Sequence, residues 1–433
     1  MRSLPLLFLV SLCAAAAHAD PILVKAARLI DGQSADARAD VAVLVDGERI
    51  TAVGPAAELA QKAPGARVVD LGGATLLPGL VDAHTHVFLH GDVTADEYAD
   101  QLLKESTPYR ALYASANARA ALGYGLTTMR ELGTEGAMYA DVDLRNAIER
   151  GVVPGPRLVV ATRAMAPTGM YPLGGYSWEL RVPEGVQIVD GAEAIRHAVR
   201  EEVKHGADWI KLYADRGYYE TGRADRPLRS RVNFTAEEAR ALVDEAHRLG
   251  RKVAAHAMAW DGIDAALSAG VDSIEHGVGI TDDLAARMVR QRVVWCPTLS
   301  ALIGVKARGG VWPRMIDLQK AAFARALAHG VRIANGSDAG AFPWSQNPVR
   351  EVGLMADYGM KPMAAIQAAT SVAAALLEPL CPADAKACPH LDVGVIAPGK
   401  RADLIAVAGD PLKDVHELEK VIFVMKGGAV FKQ

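Results

Sequence analysis

The sequence predicts an α/β chain built around a (β/α)8 barrel of the TIM type, flanked by strands from both termini. From Thr75 onward, short apolar runs alternate with longer helical segments, the pattern of parallel β/α units. Eight such runs fall within roughly 260 residues, the size this barrel requires. Turn-punctuated strand runs precede and follow them, and chain termini often lie close enough to pair.

Taken in order, the chain opens on Met1-Arg2, an apolar run over residues 4–17 and Ala17-His18-Ala19. A basic start, a short apolar core and a small-x-small site read as a secretory signal over residues 1–19, so the mature protein is expected outside the inner membrane, in the periplasm. Residues 20–74 carry strand-like runs at 22–26, 41–45 and 49–53, punctuated by the turn signals Asp31-Gly32 and Asp46-Gly47. The barrel is assigned to residues 75–378. Its strands are expected at 76–81, 127–131, 157–161, 209–213, 252–257, 273–276, 293–297 and 332–335. The clearest helices are 192–205, 235–249, with a Thr235-x-x-Glu238 capping box and Gly250 as its stop, and 281–292. An alanine-rich helix is expected over 363–377. The remainder, 379–433, returns to strands at 402–408 and 421–426.

Composition excludes several classes. The 433 residues are 51% hydrophobic and 23% charged, and 47 Lys+Arg against 51 Asp+Glu give a formal charge of -4. There is no basic stripe for nucleic acid, and no later stretch approaches the ~20 apolar residues of a membrane span. Of the cysteines beyond the signal, Cys381 and Cys388 are a candidate disulfide in an exported chain, and Cys296, in Val293-Val294-Trp295-Cys296, reads as an inert core thiol.

Barrel active sites lie at the C-terminal strand ends, and the assigned ends carry His84, His86, Lys211, His256, His276 and Asp338. In an extended strand His84 and His86 share a face and suit one metal ion, although two histidines closing a buried strand also serve structure alone. Lys211 would place an ammonium in a buried mouth. Either a salt bridge to Asp338 or another acid neutralises it, or carbon dioxide converts it to a carbamate able to bridge two cations. Asp338, after the last strand, suits a metal ligand and proton acceptor, or a turn aspartate.

These motifs resemble the amidohydrolase superfamily: Pro78-Gly79-Leu80-Val81-Asp82-Ala83-His84-Thr85-His86, then Lys211, His256, Ile274-Glu275-His276-Gly277, Ser337-Asp338 and the tail from Gly394 to Ile405. The resemblance implies a composite β-sandwich from both termini and a binuclear site. His84, His86 and Asp338 would hold one divalent metal, His256 and His276 the other, and carboxylated Lys211 would bridge them. Zinc is the expected metal, and a bridging hydroxide the expected nucleophile. Within the superfamily the chain looks like the imidazolonepropionase-like branch that includes Xaa-Pro dipeptidase-type carboxypeptidases and ochratoxin-hydrolysing amidases. Mononuclear deaminase-type relatives lack the lysine and carry a glutamate three residues after the fifth-strand histidine, where this chain has Ala259. Prolidase-like relatives often carry Gly-Gly-His after the third strand, where this chain reads Pro167-Thr168-Gly169-Met170-Tyr171.

The expected reaction is hydrolysis of N-acyl or N-aminoacyl amino acids with a hydrophobic residue. A lactonase, cyclic amidase or deaminase on the same scaffold is the alternative, and a non-catalytic envelope binding protein a further one. Substrate contacts are expected from Tyr171, Tyr218 and Trp344, within strand-to-helix loops over 165–181, 215–231, 304–315 and 341–346, and from His90 and Tyr213 near strand ends. The partner is a small amide or dipeptide, and the resemblance implies a homo-oligomer.

Overall fold

The computed structural model describes residues 20–171, 173–223, 225–381 and 390–433, so the expected signal and Cys388 lie outside the described residues. In chain order the strands are β1 (Ile22–Leu29), β2 (Arg38–Asp46), β3 (Arg49–Pro55), β4 (Arg67–Asp70), β5 (Thr75–Pro78), β6 (Leu80–Thr85), β7 (Leu126–Glu131), β8 (Arg157–Val160), β9 (Met165–Ala166) and β10 (Gln187–Ile188). There follow β11 (Trp209–Tyr213), β12 (Asp215–Glu220), β13 (Leu228–Val232), β14 (Lys252–Ala257), β15 (Ser273–His276), β16 (Val294–Cys296), β17 (Leu404–Val407), β18 (Val421–Lys426) and β19 (Ala429–Lys432).

Strands from both ends of the chain share one eight-stranded sheet in the order β19-β18-β17-β5-β1-β2-β3, with β4 beside β1. The turn at Asp46-Gly47 closes the β2–β3 hairpin, pairing Asp46 with Arg49. One face of this sheet buries Val24, Leu29, Val43, Leu76, Leu404 and Phe423 together.

The first expected barrel strand, 76–81, is divided at Gly79. Thr75–Pro78 pairs antiparallel with β17 in the terminal sheet, whereas Leu80–Thr85 runs parallel to β7. A Cβ at Gly79 would lie 2.1 Å from Thr127 Oγ1, so only glycine lets the chain cross so near β7 as it changes sheets.

The parallel strands form two sheets, β6-β7-β8 and β10-β9-β11-β14-β15-β16. Both of their faces are buried, and neighbouring residues alternate between two apolar clusters. Leu80, Val160, Ile210, Val253, Val293 and Trp295 pack on the helix side. Val81, Val159, Trp209, Ala254, Val294 and Cys296 pack together on the other side. With period-two alternation, Lys211 and Tyr213 follow Trp209, and His256 follows Ala254, toward the same side.

The helices form at Ala192–Lys204, Ala236–Arg248 and Asp282–Gln291, each within a residue of its expected end. The capping box is present, with Thr235 Oγ1 accepting from the Glu238 N–H and Glu238 accepting from the Thr235 N–H. The helix expected over 363–377 is two helices, Pro362–Ala368 and Ser371–Leu377. The break turns the Ala369 carbonyl onto the Val81 N–H at 2.8 Å, a bond to β6 that a continuous helix would forfeit. The loop expected at 215–231 is instead a hairpin of β12 and β13. Among the described residues no helix is long and apolar enough to cross a membrane. Cys381 is disulfide-bonded, and Cys296 is a free, buried thiol.

Candidate metal centre and active site

His84 lies near the end of β6 with His86 just beyond it, Lys211 is central in β11, His256 lies near the end of β14, and His276 ends β15. Asp338 follows the run 332–335. That run joins β16 only through a bridge between Trp295 and Ile333, and a second bridge, Thr85 to Ala339, ties the segment to β6. All six residues line one cavity of about 950 Å³, together with Tyr171, Tyr213 and Tyr218.

The donors converge. Asp338 Oδ1 lies 3.6 Å from His84 Nε2 and 3.5 Å from His86 Nε2, and one ligand atom from each of the three falls within 4.8 Å of the others. The far side of each ring is anchored. His86 Nδ1 is 2.8 Å from the Gly133 carbonyl, which only accepts, so that nitrogen carries the proton and Nε2 presents a lone pair. His84 Nδ1 donates to Glu275 Oε2 at 2.8 Å, leaving His84 Nε2 buried without a hydrogen-bond partner. A buried, unsatisfied imidazole nitrogen facing a carboxylate and a second imidazole fits a divalent cation, and N/O donors of this kind suit zinc.

The ring centroids of His256 and His276 are 4.6 Å apart, and those of His276 and His84 5.1 Å. Tyr218 Oη lies 2.6 Å from His256 Nε2, so Nδ1 is the nitrogen left for a ligand role. Thr298 Oγ1 holds His276 Nδ1 at 2.8 Å. The Lys211 ammonium is buried, 5.7 Å from the Tyr213 ring centroid, and forms no hydrogen bond or ion pair among the described residues. The salt bridge to Asp338 allowed by the sequence is therefore not made.

Burial sets the electrostatics. Desolvation, reinforced by Lys211, holds His84 well below the ordinary imidazole range, and desolvation likewise lowers His256. It depresses His276 to about 3, so these rings are neutral, as ligation requires. Burial raises the Asp338 carboxyl well above its usual range, against the pull of Lys211, and lowers the Lys211 ammonium. His276 and Asp338 have φ of 71° and 59°, left-handed values that non-glycine residues adopt at a cost and that cluster at functional sites.

Several supporting residues escaped the sequence reading. Arg130, fully buried in β7, donates to the Ala83 carbonyl at 2.5 Å, to Ser273 Oγ at 3.2 Å and to Glu275 Oε1 at 2.9 Å. Glu131 accepts from the Val87 N–H at 2.7 Å, just past the His-x-His pair. Their signal was a charged pair inside a buried strand, where each charge needs a partner. Ala259 lies where mononuclear relatives place a glutamate; its N–H donates to Asp215 Oδ2 at 2.8 Å.

Two expected contacts stand elsewhere. His90 does not line the cavity; its Nε2 pairs with Glu105 at 2.8 Å on a half-buried face. Trp344 is a core residue whose indole N–H donates to the Leu89 carbonyl at 3.1 Å. Both sit on loops near strand ends, but packing turned them away from the opening. Of the other loop aromatics, Tyr176 and Trp312 line the cavity, whereas Trp178 is solvent-exposed.

Comparison with known proteins accords with this arrangement. The amidohydrolase family model matches residues 75–431, and that of an imidazolonepropionase-like composite domain of bacteria matches residues 42–66. Ochratoxinase from Aspergillus niger is 28% identical over 95% of this chain and 86% of its own length, and its crystal structure superposes with a TM-score of 0.80 at 26% identity over 96% of each chain. A Xaa-Pro dipeptidase crystallised with methionine in its active site also gives a TM-score of 0.80, at 30% identity, over 96% of this chain and all of that one. These likenesses carry a TIM-barrel-type α/β fold. With family model and relatives spanning the strands that carry the cluster, the chain is a hydrolase acting on amide bonds and belongs to the amidohydrolase family.

Proposed function

We propose that this chain is a binuclear metal-dependent amidohydrolase that releases the C-terminal residue from N-acyl or N-aminoacyl amino acids, in the manner of a carboxypeptidase or dipeptidase. The observation that carries this reading is the convergence of His84, His86 and Asp338 in one cavity with Lys211, His256 and His276. In this reading the first three would hold one zinc ion and His256 and His276 a second, with Lys211, as its carbamate, a further ligand. When bound, such cations polarise a scissile carbonyl and make water a stronger acid.

The protein's own groups do the rest. Asp338 takes a proton from the attacking water and passes it to the departing amine. Glu275 and the Gly133 carbonyl fix the two imidazoles in one tautomer. Tyr171, Tyr213, Tyr218 and Trp312 give the cavity an aromatic wall for an apolar side chain. The likeness to ochratoxinase supports ochratoxin-type amides and the likeness to a Xaa-Pro dipeptidase supports dipeptides, while the 167–171 segment, without the Gly-Gly-His pattern, speaks against a strict demand for proline.

The two parallel sheets and the run 332–335 form, in this reading, one closed (β/α)8 barrel over residues 75–378. Support comes from the Asp208 N–H on the Val160 carbonyl at 2.8 Å, and from the Trp295 N–H on Arg332 and the Ala83 N–H on Asn335, both at 2.9 Å. Residues 20–74 and 379–433 make the composite domain, residues 1–19 direct export to the periplasm, and the chain assembles as a homo-oligomer.

A zinc-replete assay over N-acyl amino acids and dipeptides, with the freed amino acid detected as an amine, tests the reading. Release of hydrophobic C-terminal residues is expected. Turnover confined to lactones or cyclic ureas, or release of ammonia, would overturn it.

A further inference from the structure

Beside the metal-ligand cluster the cavity wall carries a second polar assembly, centred on a carboxylate that the reaction outlined above does not use. Glu135 is 2% exposed and lines the same cavity. Three tyrosine hydroxyls donate to its carboxylate: Tyr98 at 2.6 Å and Tyr171 at 3.1 Å to Oε2, and Tyr213 at 2.9 Å to Oε1. A carboxylate only accepts, so each of the three phenols is the donor in its contact.

Among the described residues no lysine or arginine reaches ion-pair distance of Glu135. A buried carboxylate costs stability unless it is paired, and three neutral hydroxyls offset only part of that cost. The backbone is committed to the arrangement as well. Glu135 has φ 47°, in the left-handed region, and a Cβ at Gly185 would lie 1.8 Å from Tyr98 Oη and 2.9 Å from Glu135 Oε2. The chain thus packs a glycine backbone over this carboxylate and strains its own residue to place it.

Glu135 is also near the scissile position. It lines the same cavity as His86, Lys211 and Asp338, the groups around which a substrate carbonyl would sit, and Tyr213, which donates to it, stands two residues beyond Lys211 on β11. An aminoacyl substrate carries its α-ammonium on the carbon next to that carbonyl, whereas a side-chain ammonium lies farther away. The ammonium supplies three N–H donors and a directly paired positive charge, which no lysine or arginine gives this carboxylate among the described residues, although buried Arg110 acts on it from farther off.

We infer that Glu135, held by Tyr98, Tyr171 and Tyr213, is a specificity-determining residue that receives the free α-ammonium of an N-aminoacyl substrate. The chain therefore favours unblocked dipeptides over N-acyl amino acids. This rests on the amide-hydrolase reading above and deepens it by naming the group on the acyl side.

Alanylphenylalanine and N-propanoylphenylalanine differ only in that ammonium and form the test pair. With zinc-loaded wild-type protein, KM for the dipeptide should be lower by about tenfold or more, the size of one charge-assisted hydrogen-bonded contact. Glu135→Gln should bring the two KM values to within about threefold of each other, chiefly by raising that of the dipeptide. A Glu135 that served structure alone would shift both KM values together, and that result overturns the inference. So does a wild-type protein with no preference between the two, which decides the matter even if the variant fails to fold. If neither compound is hydrolysed while lactones or cyclic ureas are, the amide-hydrolase reading fails and the inference falls with it.

Discussion

Glu275 divides its two oxygens between the candidate metal ligand His84 and the buried pair Arg130 and Ser273. Oε2 accepts from His84 Nδ1, while Oε1 accepts from Arg130 and from Ser273 Oγ at 2.5 Å. An outer carboxylate of this kind orients the ring and raises the basicity of the ligating nitrogen. Glu275→Gln keeps the shape and removes the charge, so zinc affinity should fall by about 10- to 100-fold, measured by competition with a chelator. Unchanged affinity would detach Glu275 from the centre. At this scale the ligand types were legible, because histidines, a lysine and an aspartate at strand ends are unusual in apolar surroundings. Arg130, Glu131 and Glu135 were not singled out, since nothing in spacing tells which carboxylate turns toward the cavity and which is used up in pairing.

The element scale separates local from tertiary control. The helix Ala236–Arg248 began and ended where its capping box and Gly250 placed it, because those signals act within a turn of chain. Thr235→Ala removes the side-chain oxygen that accepts from the Glu238 N–H, and should lower unfolding free energy by about 1 kcal/mol in a denaturant titration without changing turnover. The break at Ala369 and the division of the first strand at Gly79 were invisible locally. Both answer a distant partner: the Val81 N–H in one case and the change from the terminal sheet to β6 in the other. The β12–β13 hairpin escaped for a similar reason, since its strands meet with an irregular register between Arg216 and Tyr219.

At the scale of the whole molecule, one face of the terminal sheet forms its own apolar cluster, while Leu77, Ile405 and Val424 on those strands pack with the parallel-strand core; the sheet carries none of the metal-ligand candidates. Phe423 is fully buried within it, between neighbours contributed by both ends of the chain. Phe423→Ala should cost about 3–5 kcal/mol, read as a lower denaturant midpoint, while kcat of the folded protein stays unchanged. The alternation of β and α segments made the barrel-type core legible, whereas the pairing of β5 with β17, more than three hundred residues apart, depends on contacts no local pattern encodes. In the proposed reaction the cluster at the strand ends performs amide hydrolysis with bound metal. Its most direct test is to strip the protein with a chelator, restore zinc, and follow release of the C-terminal residue from an N-acyl amino acid. Release should stop on stripping and return with zinc; release that continues unchanged in the stripped protein would rule out a metal-dependent reaction.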